Sequence, residues 1–208
     1  GALGYAIRLD EGGKIGNFYG KRFAGLTEDG KWLFYKADGS TARASEMNEN
    51  DNTIIGNGVP KAQVSLGNTF RYKGFDLTIL LRGKFGFDIL NLPDLYFGNK
   101  KWLPQNLLKS AITKHNDLND DPQYSDYYIE KGNFVKLDNL TLGYNFKLKT
   151  PYIRNLRIYA TGRNLLTITG YSGVDPEIQD TGIEDPGIDK RDFYPSTRSI
   201  AFGLNIGF

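Results

Sequence analysis

The sequence predicts an all-β fold whose long antiparallel strands form part of a transmembrane β-barrel. Three observations support this prediction. Apolar and polar residues alternate along six segments, as they do in strands with two unlike faces. The segments run to roughly 9–14 residues, whereas ordinary strands have about 5–6 and a tilted membrane-crossing strand about 9–11. The connections between them alternate between long and short, which is typical of outer-membrane barrels.

The predicted strands lie near residues 1–9, 61–73, 75–88, 133–147, 156–169 and 199–208. The last is the most regular, with small or polar residues between Ile200, Phe202, Leu204, Ile206 and Phe208. In segment 133–147 the alternation shifts by one residue around Val135 and Leu137. That shift predicts a β-bulge or a change of environment.

The long segments 10–60, 91–132 and 170–198 are the predicted extracellular loops. The short links, at Gly74 and in KLKTPYIRN, are the predicted periplasmic turns. Within the second loop, the run KKWLPQNLLKSAITKH predicts one short helix. Its apolar face would carry Leu103, Leu107, Leu108, Ala111 and Ile112.

Composition excludes several function classes. The net charge is +2 and no basic stripe stands out, so no nucleic-acid partner is expected. The chain has no cysteine and one histidine, His115, which excludes a thiol nucleophile, a zinc–thiolate site and a site of several histidines. Because these catalytic groups are missing, we do not expect an enzyme.

No apolar run approaches the roughly 18 residues of a membrane-spanning helix.

Acidic loops raise the possibility of bound calcium. The run DLNDD places oxygen ligands at alternate positions, Asp117, Asn119 and Asp121, but the glycine and glutamate of a calcium-binding loop are missing. A second acidic group consists of Asp175, Glu177, Asp180, Glu184, Asp185 and Asp189. Carboxylates in exposed loops usually serve only to keep the loop solvated. We therefore expect no cofactor, with loop Ca²⁺ as the alternative.

Several stretches resemble SusC/RagA-type TonB-dependent outer-membrane transporters, specifically their C-terminal part. The resemblance is carried mainly by residues 59–208, in RIYATGRNLLTITGY followed by SGVDPEI, FYPSTRSIAFGLNIGF, GNFVKLDNLTLGYNF and PKAQVSLGNTFRYKGFDLTILLRGKFGFDILN. KIGNFYGKRFAGL resembles the family less closely. The acidic D-x-N-x-D-G block common in the family is replaced by ADGSTARASEMNENDN, which weakens the case for an ion site there.

The resemblance implies a plugged barrel of about 22 strands in the outer membrane of a Gram-negative bacterium. It also implies a SusD-like surface lipoprotein over the extracellular mouth, energy supplied by TonB, and import of oligosaccharides or peptides. Six strands cannot close a barrel, since barrels of this kind start at about eight. We therefore expect the chain to pair with the remainder of the same barrel, with the signal peptide, plug and TonB box outside this sequence.

Two sets of residues are candidate contact sites. The first set is the arginines predicted to face the barrel lumen: Arg71, Arg82, Arg157 and Arg163. They would contact the plug or guide anionic cargo, or else pair with Asp76, Asp88 or plug carboxylates. Pairing is the preferred interpretation. The second set is aromatic residues of the predicted loops: Tyr96, Trp102, Tyr171 and Tyr194. They would stack on cargo or contact the lid, or pack among the loops.

The main alternative is a secreted β-sandwich that binds carbohydrate or mediates adhesion. In a sandwich, the alternating apolar residues would meet across a dry interior between two sheets. In a barrel wall, the same residues would face lipid, and the polar residues would face a filled pore. An outer-membrane enzyme is the third and least favoured reading, because the chain has so few catalytic residue types.

Overall fold

The computed structural model describes residues 6–148, 150–178, 185–191 and 194–208. Its strands are β1 (Ile7–Arg8), β2 (Asn17–Gly20), β3 (Arg22–Leu26), β4 (Trp32–Tyr35), β5 (Thr41–Arg43), β6 (Thr53–Asn57), β7 (Ala62–Tyr72), β8 (Phe75–Phe85), β9 (Asp88–Asn91), β10 (Ile129–Lys131), β11 (Phe134–Phe146), β12 (Asn155–Thr169), β13 (Ile188–Asp189) and β14 (Ser199–Gly207). The α-helix in the described residues is α1 (Leu92–Phe97). Short 3-10 turns lie at Ala44–Glu46, Glu49–Asp51, Lys100–Trp102, Lys109–Ile112 and Asp126–Tyr128.

The chain divides into two compact units. The sheet unit comprises Lys61–Phe85, Asn133–Gly170 and Pro195–Phe208. The loop unit comprises Gly1–Pro60, Gly86–Gly132 and Tyr171–Tyr194.

The sheet unit is one antiparallel sheet of five long strands, in the order β14-β12-β11-β8-β7. β7 and β8 form a hairpin around Lys73 and Gly74, whose φ angles are 45° and 93°. Two positive φ values suit the right-handed twist of paired strands, which explains the two-residue turn. The fold class is therefore the predicted one: antiparallel strands, longer than those of ordinary soluble sheets.

The register shows where the long segments join this sheet. Ala62 pairs with Phe85, Phe134 with Thr169, and Arg163 with Ser199. The starts of β7, β11 and β14 and the ends of β8 and β12 therefore lie at one end of the sheet. The short connections, β7 to β8 and β11 to β12, lie at the other end. The chain thus alternates long and short connections by side.

The predicted irregularity in segment 133–147 is present. The pairing of β11 with both β8 and β12 shifts between Leu137 and Asn139. Asp138 is an extra residue relative to β8, whereas β12 has one residue more than β11 at the shift. In β12 the same shift falls at Asn164, which has a positive φ of 51°. A bulge keeps the apolar residues on one face across the shift, because the extra residue absorbs the change of phase.

The loop unit consists of three small sheets around an apolar core. The sheets have the orders β1-β2-β6, β3-β4-β5 and β10-β9-β13. The core side chains include Phe18, Trp32, Phe34, Leu90, Leu95 and Tyr128. Packing among the rings is edge-on as well as stacked: Trp32 is stacked on Phe34 at 5.9 Å and meets Phe23 edge-on at 5.6 Å. This unit therefore has the buried core of an ordinary soluble fold.

Two predicted strands differ from the structure. Residues 1–5 of the strand predicted at 1–9 lie outside the described residues, and Ile7–Arg8 pairs with β2 rather than with the five-stranded sheet. The strand predicted at 75–88 ends at Phe85, and Asp88 begins β9 of a different sheet. Gly86, with a φ of 74°, separates the two strands. The large sheet therefore has five strands among the described residues, not six.

The predicted loop helix is also wrong in its position. The run at 100–115 forms two short 3-10 turns around Pro104, which lacks an N–H and disfavours helical backbone in the residue before it. The α-helix is instead α1. It begins where the Asn91 side chain accepts the backbone N–H of Asp94 at 2.9 Å, and Pro93 lies in its first turn. Asparagine caps followed by an early proline are typical helix starts.

Candidate functional site

One face of the five-stranded sheet is apolar across all its strands. The register aligns apolar side chains in cross-strand rows, of which three are Leu66–Leu81–Leu137–Leu166, Phe70–Leu77–Leu142–Ala160–Phe202 and Tyr72–Phe75–Tyr144–Ile158–Leu204. We call this the apolar face. Aromatic rings meet at its end near the short connections, where Phe75 lies 4.6 Å from Tyr144 and Tyr144 lies 4.7 Å from Phe146.

The apolar face is exposed. Phe202 is 82% exposed and Leu142, on the interior strand β11, is 51% exposed. In the described part of the chain, no second sheet covers these side chains. A sandwich would bury them between two sheets, so the structure contradicts the alternative of a β-sandwich. Exposed apolar surface on this scale marks a face that contacts lipid or another protein.

The opposite face of the sheet, which we call the polar face, carries hydrogen-bonded rows. Thr69, Thr78, Thr141 and Thr161 are aligned in one row. The hydroxyls of Thr69 and Thr78 lie 3.1 Å apart, and those of Thr141 and Thr161 lie 2.7 Å apart. Threonine pairs of this kind stabilise neighbouring strands and leave the face hydrophilic.

A salt bridge crosses the polar face between β8 and β12. Arg157 donates to Asp76 through Nε at 3.0 Å and Nη2 at 2.5 Å. Asn145 donates to the same carboxylate at 2.8 Å. The pair spans β11 over Gly143, where an added Cβ would lie 2.5 Å from Arg157 Nη2. Glycine is therefore required at this position for the ion pair to lie flat on the sheet.

A second glycine on the polar face accommodates an aromatic ring. Gly203 pairs with Tyr159, and an added Cβ would lie 2.1 Å from the ring carbon Cζ of Tyr159. The guanidinium carbon of Arg157 lies 4.7 Å from the centre of the same ring. Tyr159 therefore lies flat over the neighbouring strand, and the polar face has little relief there.

The four predicted lumen arginines all belong to the sheet unit, but their partners differ. Arg157 pairs with Asp76, and Arg82 Nε lies 3.3 Å from Asp138 Oδ2, the carboxylate of the bulge residue. Arg71 and Arg163 are exposed. Two of the four arginines therefore form ion pairs within the sheet. Contacts of any of the four with a plug or cargo stay predictions.

The four predicted contact aromatics lie in the loop unit, and Tyr171 packs within it, which is the alternative that the sequence left open. Tyr171 is 5% exposed, and its hydroxyl donates to Asp189 Oδ2 at 2.5 Å. Burial raises the pKa of this hydroxyl. The faces of its ring are therefore not available for stacking. Tyr194 and Trp102 are 76% and 42% exposed, and the guanidinium of Arg191 lies 4.3 Å above the Tyr96 ring.

No local sequence pattern predicts the buried polar network around His115. Its Nε2 lies 2.8 Å from Asp94 Oδ2 and its Nδ1 lies 2.7 Å from the Tyr127 hydroxyl. Lys114 Nζ also lies 3.2 Å from Asp94 Oδ2. Burial is the largest single influence on Asp94 and would raise its pKa, but the hydrogen bond from His115 and further stabilising interactions, including the nearby ammonium of Lys114, together outweigh it, and the pKa falls to about 2. The His115 side chain is completely buried, so the network stabilises the fold.

The acidic groups predicted as possible calcium sites do not form a metal-binding cluster in the part of the chain that the structure describes. Asp180 and Glu184 lie outside that part. The backbone N–H of Asn119 donates to the carbonyl of Gly30 at 2.9 Å. Asp189 accepts a hydrogen bond from the hydroxyl of Tyr171.

Across the described residues, no helix is long and apolar enough to cross a membrane.

Comparisons with known proteins agree on one kind of relative. The TonB-dependent receptor P3 of Formosa agariphila is 30% identical over 235 residues, which cover 96% of this chain and 23% of the relative. The TonB-dependent receptor SusC of Bacteroides thetaiotaomicron is 30% identical over 196 residues, which cover 84% of this chain and 18% of the relative. These relatives are named as receptors rather than enzymes. No protein-family model matches the chain.

Solved structures give the same result. A structure of the RagAB peptide importer in its closed-closed state has a TM-score of 0.76 and 26% identity; the match covers 92% of this chain and 23% of that one. A structure of the same importer in its open-open state has a TM-score of 0.70. The chain therefore spans less than a quarter of the length of the relatives that it matches.

Proposed function

We propose that the chain belongs to the SusC/RagA family of TonB-dependent transporters and forms part of the wall of an outer-membrane active importer. The sheet unit supplies five wall strands. Its apolar face contacts lipid, and its polar face borders the filled lumen. The observation that carries this proposal is the exposed apolar face, which a water-soluble protein of this size would cover.

The dimensions of the sheet fit a membrane. On β11 the apolar residues run from Val135, paired with Gly83, to Tyr144, paired with Phe75, and then to Phe146. With a rise of about 3.3 Å per residue, the roughly ten steps span about 33 Å along the strand. At a tilt of about 45° this becomes about 23 Å across the membrane, close to the apolar band of about 25 Å in outer-membrane barrels.

The two edges of the sheet indicate further strands. In the described residues, β7 and β14 each have a neighbour on one side only. An unpaired edge is not tolerated in lipid, because backbone N–H and C=O groups there find no water. We therefore propose that strands from the remainder of the same transporter pair with both edges and close a barrel of about 22 strands around a plug domain.

The remaining parts of the import cycle are proposals from family membership. A SusD-like lipoprotein would cover the outer mouth, TonB would supply energy from the periplasmic side, and the cargo would be an oligosaccharide or a peptide. Trp102, Tyr194 and Tyr96 are the candidate contacts with lid or cargo. Arg71 and Arg163 are the candidate contacts with the plug, because their guanidinium groups are exposed on the polar face. We propose no resident cofactor for this segment.

Uptake by living cells tests the proposed function. A strain lacking the gene for the full-length transporter should lose uptake of labelled cargo, and the gene supplied in trans should restore it. A protonophore should stop uptake in wild-type cells, because TonB draws on the proton gradient. A SusD-like lipoprotein should copurify from detergent-solubilised outer membranes. Uptake that persists with the protonophore would contradict active import.

A further inference from the structure

The loop unit contains an open cleft of about 870 Å³. Its walls come from β1 and β2, from the 3-10 turn Glu49–Asp51, and from the segment 122–124. Polar side chains in it include Arg8, Lys21, Glu49, Asn50, Asn52 and Gln123. A cleft of this volume is in the range of sites for small ligands.

Lys21 is the unusual residue of the cleft. It lies between β2 and β3, and its backbone carbonyl accepts the N–H of Asp126 at 3.2 Å. Its ammonium donates to the neutral amide of Gln123 at 2.8 Å and lies 5.3 Å from the centre of the Phe34 ring. Within the described ranges, no carboxylate forms an ion pair with it.

The environment of Lys21 favours an added anion. The side chain is half-buried, and this burial lowers the pKa of its ammonium. A half-buried cation that contacts a neutral amide oxygen and an aromatic ring gains more from a carboxylate than a surface lysine does, because less water competes for it. Arg8, by contrast, is exposed and already paired with Asp10 at 2.8 Å. Lys21 is therefore the strongest anion-binding group of the cleft.

The other lining groups favour a peptide over a sugar. The guanidinium of Arg8 lies 4.3 Å above the Tyr19 ring. The Tyr124 ring packs against Gly20, where an added Cβ would lie 2.7 Å from it, and its hydroxyl donates to the carbonyl of Ala6 at 3.1 Å. Both rings are thus occupied, so they are poor stacking platforms for a pyranose.

Side-chain amides remain for the ligand. Asn50 and Asn52 line the cleft, and neither side chain takes part in a hydrogen bond to any residue that the structure describes. A primary amide both donates and accepts, which matches the N–H and C=O groups of a peptide backbone.

We propose that this cleft binds a short acidic peptide, with Lys21 pairing with a glutamate or aspartate side chain and Asn50 and Asn52 contacting the peptide backbone. The proposal rests on the import function above and narrows its cargo to peptides with a carboxylate side chain. Glu49 lies in the same cleft and repels such a ligand, so it limits the affinity that Lys21 provides.

Calorimetric titration of the full-length transporter in detergent tests the proposal. The probes are two pentapeptides, Gly-Ala-Glu-Ala-Gly and Gly-Ala-Gln-Ala-Gly, both acetylated and amidated so that the glutamate carries the only charge. The glutamate peptide should bind about tenfold more tightly than the glutamine peptide. Lys21→Gln should remove this difference, and Lys21→Arg should keep most of it. Glu49→Gln should increase the difference.

Two controls are needed. One shows whether the effect depends on the position of the lost lysine charge, and the other shows whether the cleft prefers a peptide or a glycan. Lys101→Gln removes an exposed lysine that does not line the cleft, and the preference should stay as in the wild type. Trigalacturonate supplies carboxylates on a sugar backbone. If Lys21→Gln weakens its binding while the two peptides bind alike, the assignment to peptides is overturned. If no probe responds to Lys21→Gln, the anion site itself is overturned.

The experiment also separates this inference from the proposed function. Uptake of the glutamine peptide by cells that carry Lys21→Gln does not depend on an anion site. Protonophore-sensitive uptake of that peptide, together with equal affinities of the wild type for both peptides, would reject the cleft and leave the importer intact. Wild-type cells that accumulate neither peptide despite tight binding would reject the import of peptides.

Discussion

Replacing Leu142 by lysine tests which solvent the apolar face contacts. Leu142 lies near the middle of the apolar residues of β11, about six steps from Val135 along the pairing with β8. At about 3.3 Å per step and a tilt of about 45°, Val135 is about 14 Å closer to one membrane surface. Lysine on the lipid face costs about 2–4 kcal/mol at the midplane and about 0–1 kcal/mol near the interface. We therefore expect Leu142→Lys to destabilise the transporter by about 1–4 kcal/mol more than Val135→Lys.

The assay is thermal denaturation of the full-length transporter in detergent, followed by the loss of its folded mobility in gel electrophoresis, together with the amount assembled in the outer membrane. Leu142→Met is the control, because it keeps an apolar side chain of similar volume and should behave like the wild type. Leu142→Lys should assemble least. If both lysine variants matched the wild type, the apolar face would contact water, and the argument for a membrane wall would fail.

Two further predictions concern packing within each unit. Gly203→Ala should lower the stability of the transporter by about 1–3 kcal/mol, because the added Cβ would lie 2.1 Å from Tyr159. Gly207→Ala is the control and should lower it less in the same thermal assay, because its Cβ would lie 3.5 Å from the nearest atom. Equal losses of stability would contradict the flat packing of Tyr159. Asp94→Asn should destabilise the loop unit by about 2 kcal/mol, because the pKa of Asp94 falls from 3.8 to about 2 and its contact with His115 is lost. The folded-state pKa is depressed, so this stability is fully present above about pH 4 and is lost as the pH falls toward 2; limited proteolysis across that range measures it, and a loss that began instead near pH 6 would contradict the assignment to Asp94.

The strands of the sheet unit could be predicted because each carries its own signal. Alternation along β14 and β11 depends only on neighbouring residues, and the shift at Val135 and Leu137 marked the bulge at Asp138. The local pattern also predicted which residues share a face. In a membrane wall this pattern is strict, because every lipid-facing residue has the same solvent.

The loop unit could be predicted only in part, because contacts distant in sequence determine it. Ile7–Arg8 has a strand-like pattern, but its pairing with β2 rather than with the long sheet depends on where the chain returns. The α-helix had a local signal in Asn91 and Pro93, which the longer apolar pattern around Pro104 obscured. Lys21 and Gln123 are about a hundred residues apart, and no sequence pattern near either residue predicts their contact.

Spin labelling tests most directly whether the apolar face contacts lipid. This chain has no cysteine, so a nitroxide can be attached at Leu142→Cys or at the adjacent Thr141→Cys in the full-length transporter, with any cysteine elsewhere replaced, and reconstituted in liposomes. Power saturation by electron paramagnetic resonance then compares collisions with oxygen, which is enriched in lipid, and with a water-soluble nickel chelate. If the apolar face contacts lipid, the label at Leu142 should collide mainly with oxygen and the label at Thr141 should not. Equal access of the nickel chelate to both positions would contradict it.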